Sequence, residues 1–516
     1  MEFSKIVVLL LVTLQSVGAE LENAGTWVAI VPPGLAESLA PLARYRSEQG
    51  WDVRIQKREE LGSGEELPAG IHDYLHGMIA DPSLAKPVVA VLAGVPLVAE
   101  GEAGEAVVPG IEGDFLRMKG VAADSMYSLL DGKRVATLSG GRLPARNAGE
   151  LAAMIEKIRN FESEDGAPRW KTRLSIVAAS SGGGPIADAF VAQQIDFWLK
   201  EIPSRWTMQQ VADLKGSLFS VPPGDLRAKT KTILEGGQLF NCYIGHASPD
   251  SISSSGGAFF TRKDFSDLNI TSGAGVFLTC GCETLAHDVP GHDGHGYSAM
   301  RAVGGPAAFI GAEHCSNAAI GLLAFDGLAK ILTQDASGNP TLADCWQAIF
   351  GGIESGDIDP TIFTLMDQFD GSGNTVSLAD QRKEHLQMWM LLGDPAMKIP
   401  MITEKIGLEV ESAEVEPGGK FIVRGSLPDG WGDAKITVTA ERTMASKPSQ
   451  GQQAEVNDFV LAMTTVEAKG RFELALELPG DIPWEAILVR AIAESEGRAA
   501  QETISIPVAE PKATSP

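Results

Sequence analysis

Apolar and polar positions follow two different rhythms along this chain, and the change of rhythm divides it. Through the first four hundred residues, short apolar runs bounded by Gly and Pro alternate with longer stretches of helical spacing. The run 26-TWVAIVPP-33 predicts a buried strand ended by prolines. Next, 34-GLAESLAPLARYRSEQG-50 places Leu35, Leu39 and Leu42 on one helical face and stops at Gly50. An alternating strand follows at 51-WDVRIQK-57, then an apolar run at 86-KPVVAVLAGVPLV-98. Asn147 and Glu150 form a capping pair for a helix with Leu151, Met154, Ile155, Ile158 and Phe161 on one side.

A second alternation begins at 171-KTRLSIVAAS-180, followed by a helical stretch over 181–199. Strand-like runs recur at 238-QLFNCYIG-245, 274-AGVFLT-279 and 306-PAAFIGA-312, and Leu322, Phe325, Ala329 and Leu332 mark a later helix. Strands alternating with helices predict the α/β class, with helices on the faces of parallel sheets. Residues 20–170 and 171–402 are two adjoining parallel-sheet units of one body. From about 406 the rhythm shortens to 418-GGKFIVRGSL-427, 434-AKITVTAE-441, 471-RFELALEL-478 and 485-EAILVRAIAE-494. That spacing predicts an all-β sandwich of immunoglobulin type over 406–508, without Cys and so without an inter-sheet disulfide. The tail 509–516 is expected to be disordered.

The extreme N-terminus has a different reading. Lys5 precedes 6-IVVLLLVTL-14, and small residues follow at Gly18 and Ala19. This is the pattern of a secretory signal over 1–19, and its apolar core is shorter than the roughly 20 residues a spanning helix needs. No later run reaches that length, so a secreted, periplasmic or cell-surface protein without a membrane-spanning segment is expected. Among 516 residues the net charge is −25, with no Lys/Arg cluster, which excludes a nucleic-acid partner and disfavours an anionic membrane.

The five cysteines are Cys242, Cys280, Cys282, Cys315 and Cys345. An odd number leaves at least one thiol unpaired in an exported protein, and five are too few for a disulfide scaffold at this length. For Cys242, Cys315 and Cys345 the plain reading is a small buried hydrophobe. His246 and Cys280 are different, because each follows an apolar run at its end. In open parallel sheets reactive groups collect beyond the carboxyl ends of strands, so neighbouring strands would bring these two side chains to one edge. A thiolate is the nucleophile, a nearby histidine favours it, and free N–H groups past a strand end can hold an oxyanion. Gly245 and Gly281 permit close approach of a substrate backbone.

At these residues the chain resembles the gingipain-type cysteine peptidases of the caspase-like clan. The likeness runs through 124-DSMYSLLDG-132, 141-GRLPARNAGELAAMIEKIRNFE-162, 178-AASSGGGP-185, 243-YIGHAS-248, 276-VFLTC-280, 303-VGGPAAFIGA-312 and 391-LLGDPAMKI-399. The resemblance implies two α/β subdomains followed by an immunoglobulin-like domain. It implies an endopeptidase acting on protein or peptide substrates through a His–Cys dyad and a thioacyl intermediate, with no required cofactor. Cys280 would attack the scissile carbonyl, His246 would act as acid and base, and the N–H groups of Ala247 and Cys280 would hold the oxyanion. Three positions depart from the family pattern: Gly182 replaces an acidic residue, Ala247 a glycine after the histidine, and Glu283 a glycine. An alanine held at φ > 0 would be strained. Preference for Arg or Lys is therefore not carried over.

Rival readings stay open. Cys282 is a neighbour able to form a mixed disulfide, a buried filler, or itself the nucleophile. His246, His287, His292, His295 and His314 crowd near four cysteines, but Cys-x-Cys with 291-GHDGHG-296 lacks zinc-site spacings, so a Gly-rich loop over the cleft is the simpler account. Structural calcium is conceivable at 370-DGSGN-374, although a plain turn fits better, since the loop's twelfth position is Gln381. His72 and His76 are expected on a solvated helix face, and Asp394 is expected to cap a turn. A scaffold or adhesion protein that kept the fold and lost the reaction is the second class of function.

Overall fold

A computed structural model describes residues 23–96, 106–115, 119–165, 169–180, 184–217, 219–287, 293–334, 338–361, 363–364, 376–444 and 457–509. The chain opens with β1 (Gly25–Val31), α1 (Pro33–Glu48), β2 (Trp51–Lys57), α2 (Leu67–Ala80) and β3 (Val88–Ala93). Two hairpins, β4 (Ile111–Asp114) with β5 (Lys119–Ala123) and β6 (Leu129–Leu130) with β7 (Lys133–Arg134), precede β8 (Leu138–Leu143) and α3 (Ala148–Ser163). The alternation resumes with β9 (Arg173–Ala179), α4 (Pro185–Glu201), β10 (Thr207–Asp213), α5 (Leu226–Glu235) and β11 (Gln238–Ile244). A small antiparallel sheet follows, of β12 (His246–Ser248), β13 (Ser251–Ser254) and β14 (Gly257–Thr261), and α6 (Arg262–Ser266) leads to β15 (Ala274–Thr279). The body closes with α7 (His295–Arg301), β16 (Ala308–Ala312), α8 (Ala318–Thr333), α9 (Leu342–Ser355), α10 (Leu378–Met388) and β17 (Trp389–Leu392).

The two expected runs of strands share one ten-stranded sheet, in the order β10-β9-β11-β15-β16-β17-β8-β3-β1-β2. Each run is parallel within itself, and the runs meet at β17, which is antiparallel to β16 and parallel to β8. β1 and β3 are buried along their whole length, and covered faces explain why they read as continuous apolar runs rather than alternating ones. Leu35, Leu39 and Leu42 of α1 are buried, and so is the predicted face of α3. The Asn147 side chain accepts from the Glu150 N–H at 3.0 Å, which starts α3 where the capping pair placed it.

Two polar expectations read differently. Asp394 does cap its turn, accepting from the Ala396 N–H at 3.0 Å, but it is also fully buried. It accepts from Trp27 Nε1 at 3.0 Å and from Arg46 Nε at 2.7 Å, while Arg46 also reaches Glu162 at 2.9 Å. His72 and His76 are half-buried rather than on a solvated face. Their rings stack at 4.1 Å, and their Nε2 atoms meet the Leu129 and Tyr127 carbonyls at 3.3 and 3.1 Å. Helical spacing fixed their shared face but could not show what packs on it.

The last hundred residues form β18 (Glu404–Lys405), β19 (Gly407–Val410), β20 (Lys420–Ser426), β21 (Asp433–Arg442), β22 (Val460–Lys469), β23 (Arg471–Glu477), β24 (Ala486–Ser495) and β25 (Arg498–Pro507). They make a five-stranded and a three-stranded sheet closed over one core that includes Phe421, Val423, Ile436, Val438, Leu474 and Val489. This sandwich lies against β10, an edge strand of the main sheet. The Asn457 amide accepts from the Gln210 N–H at 2.7 Å and donates to the Gln210 carbonyl at 2.6 Å, occupying backbone groups that an edge leaves open. Arg490, buried with Glu441, donates to the Arg205 and Ser204 carbonyls at 2.6 and 2.9 Å.

Candidate active site

β11 and β15 are adjacent and parallel, with Tyr243 level with Thr279. His246 and Cys280 therefore emerge just beyond the ends of neighbouring strands, as the apolar runs predicted. Gly245 makes the turn between β11 and the histidine. Its φ of 155° lies where side chains are disfavoured, and a Cβ there would sit 2.5 Å from the Tyr243 hydroxyl. Tyr243 ties the edge together. Its buried hydroxyl contacts the His246 and Ser253 carbonyls at 2.6 and 2.8 Å, and its own carbonyl accepts from the Cys280 N–H at 3.0 Å. His246 is exposed and opens β12, paired with Ser253 of β13.

Beneath this small sheet, His295 fixes its far end. His295 Nδ1 lies 3.0 Å from the Ser248 carbonyl, its N–H donates to the Pro249 carbonyl at 2.8 Å, and its ring stacks on Phe265 at 4.7 Å. Burial pushes its pKa down to about 4, so the ring is neutral. His287 is buried as well, with Nδ1 at 2.8 Å from Glu313. Burial alone would lower its pKa, but the Glu313 charge and hydrogen bond outweigh this and hold it above the ordinary histidine value. These two histidines are packed in the interior and do not form a solvated loop over a cleft; His292 lies outside the described residues, as do Gly182 and 370-DGSGN-374. Among the described residues, no group of three or more His, Cys, Asp or Glu gathers as metal ligands.

Cys280 differs from expectation in two respects. Its amide is engaged by Tyr243, so in this arrangement it is not one of two free oxyanion donors. The residue is only 8 % exposed. Continuing the parity of Val276 and Leu278, it faces α8, where a Cβ on Gly321 would lie 2.6 Å from its sulfur. Burial, and then the neighbouring Cys242, push its thiol pKa well up. Sequence spacing located the strand end but could not show the helix packed over it. The strain expected at Ala247 does not arise, because that residue lies in extended β12 and is not among those with positive φ. Glu283 does carry a positive φ, of 56°, the conformation a glycine would hold without cost. Cys282 is half-buried, with its sulfur 3.6 Å from the Ser316 carbonyl.

Sequence reasoning missed one buried acid at this edge. Asp188, in the first turn of α4 just past β9, accepts from Ser180 Oγ at 3.1 Å. Its other oxygen is buried with no hydrogen-bond partner among the described residues. An acid closing 184-GPIAD-188 directly after a strand was the available signal.

A family profile described as Peptidase family C25 matches residues 20–400. The chain belongs to this family, the gingipain family. Comparison with curated protein sequences finds no match. Two solved structures share the C25 fold of this chain. One is titled as the complex of Porphyromonas gingivalis RgpB pro- and mature domains, with 14% identity, a TM-score of 0.54, and coverage of 94% of this chain and 100% of that one. The other, titled as the Arg-specific cysteine proteinase gingipain R (RGPB), shows 14% identity and a TM-score of 0.54 over 94% and 98% of the two chains. Among the described residues of this C25 protein, no helix is long and apolar enough to cross a membrane.

Proposed function

We propose that this C25-family protein is an exported cysteine endopeptidase, with Cys280 as nucleophile and His246 as acid and base. The observation that carries the reading is the convergence of β11 and β15, which puts both residues past adjacent parallel strand ends, linked through Tyr243. In the reaction the Cys280 thiolate attacks the peptide carbonyl and forms a thioacyl enzyme. His246 delivers a proton to the departing amine and then takes one from the water that releases the acid product. Asp188 places a buried carboxyl group past the end of β9 at the same sheet edge, in the supporting position a third member of such a site takes. The sandwich is read as immunoglobulin-like, and the apolar leader as the signal for export.

A buried, high-pKa thiol favours a second reading, an inactive scaffold. Under the peptidase reading, the first turn of α8 moves off Cys280 when substrate binds. Digestion of a peptide library under reducing conditions separates the two. Cleavage by the parent, lost in Cys280→Ala and reduced by at least about 10²-fold in His246→Ala, supports the peptidase. Cleavage that persists in Cys280→Ala, or none by the parent, sinks it.

A further inference from the structure

The turn that follows Cys280 runs beside the segment that leads into α8. The Glu283 N–H donates to the His314 carbonyl and the Leu285 N–H to the Ala312 carbonyl, each at 3.0 Å. Cys282 immediately precedes Glu283 and Cys315 immediately follows His314, so the two cysteines flank the first of these hydrogen bonds. The sulfur contact agrees, because Cys282 Sγ lies 3.6 Å from the carbonyl of Ser316, the residue after Cys315. Each Cα lies one peptide bond from that 3.0 Å hydrogen bond, so the two Cα atoms are within roughly 8 Å of one another, a span that includes the separations a disulfide bridges.

We infer that Cys282 and Cys315 form a reversible disulfide that locks the cover over Cys280. The inference rests on the reading of Cys280 as nucleophile. Both cysteines are half-buried and both are thiols in this structure, so a small oxidant has a path to them. The other cysteines are worse placed. Cys345 is fully buried in α9. Cys242 is level with Leu278, two residues short of Cys280 along the strands. That offset is about 6.6 Å of strand rise in addition to the spacing between strands, beyond disulfide reach.

The chemistry balances with a small disulfide, such as oxidised glutathione, as acceptor. One cysteine thiolate attacks a glutathione sulfur and expels a glutathione thiolate, forming a mixed disulfide. The second cysteine attacks the protein sulfur of that mixed disulfide and expels the other glutathione thiolate. The pair loses two protons and two electrons, and the acceptor becomes two thiols. The new bond ties the 281–285 turn to the lead-in of α8, whose N-cap is Asn317 and whose Gly321 abuts the Cys280 sulfur. With the bond closed, the first turn of α8 is held over Cys280. With it open, that turn can shift away.

The test treats the full-length protein with oxidised glutathione, maps its peptides without reduction, and measures labelling of Cys280 by a peptidyl thiol-reactive probe before and after dithiothreitol. The inference predicts a Cys282–Cys315 linked peptide, at least about tenfold less labelling of the oxidised protein, and recovery on reduction. Cys315→Ser should label equally before and after oxidation. A linkage between any other pair, or mixed disulfides alone, overturns the inference. A Cys282–Cys315 bond that leaves labelling unchanged overturns the lock. If the bond forms but the reduced parent is never labelled at Cys280, the nucleophile reading fails and takes the lock with it. Labelling of the reduced parent without a bond defeats the inference and leaves that reading standing.

Discussion

Asp394 shows how much a single residue holds in this protein. Its carboxylate answers the Trp27 indole, the Arg46 guanidinium and the Ala396 amide, all inside the core. Removing it leaves Arg46 with Glu162 as its remaining buried carboxylate and takes the acceptor from the Trp27 indole and the Ala396 amide, which costs about 3–5 kcal/mol in all. Asp394→Ala should lower the unfolding free energy by that amount in urea titration, and a loss below 1 kcal/mol would mean that Glu162 alone suffices for Arg46. Gly321 is the counterpart at the candidate site, since the Cys280 sulfur occupies the space a side chain would need. Gly321→Ala should cost about 1–3 kcal/mol from overpacking and should also displace Cys280. Unchanged stability together with unchanged thiol reactivity would show that α8 yields there freely.

At the scale of elements, the small β12–β14 sheet carries His246, and His295 anchors it. The His295 pKa, about 4 when folded, lies below the unfolded histidine value of about 6.5. Its contribution to stability is therefore complete above about pH 6.5 and is lost as pH falls toward 4. Protection from hydrogen exchange at residues 246–254, taken relative to the intrinsic rate at each pH, should fall over that interval, and His295→Gln should flatten the response; protection that does not change with pH there would contradict the anchoring role. This sheet was not legible in the sequence, because 246-HASPDSISSSGGAFFT-261 is mostly polar and its pairing depends on Tyr243 and Phe265 beneath it. By contrast, β11, β15 and β16 were legible, since strands covered on both faces must be apolar throughout. The helix over Cys280 was visible as a helix, but its docking onto the sulfur is a long-range contact that periodicity does not encode.

At the scale of the whole molecule, two packed bodies meet along β10, and Asn457 covers part of that edge. Asn457→Ala leaves the Gln210 amide and carbonyl without those partners, at a cost of about 1–3 kcal/mol. Limited proteolysis should then cut faster between Ile402 and Ile406, where the body passes into the sandwich; an unchanged rate would show that Arg490 and Glu441 suffice. Two strands in from β10, the adjacent ends of β11 and β15 carry the proposed His246–Cys280 pair. Its most direct test is peptide mapping of the reduced protein after reaction with a peptidyl acyloxymethyl ketone, in the parent and in His246→Ala. One modified cysteine is expected, Cys280, with labelling strongly reduced when the imidazole is removed. Modification at Cys282 instead, or equal labelling in both proteins, would contradict it.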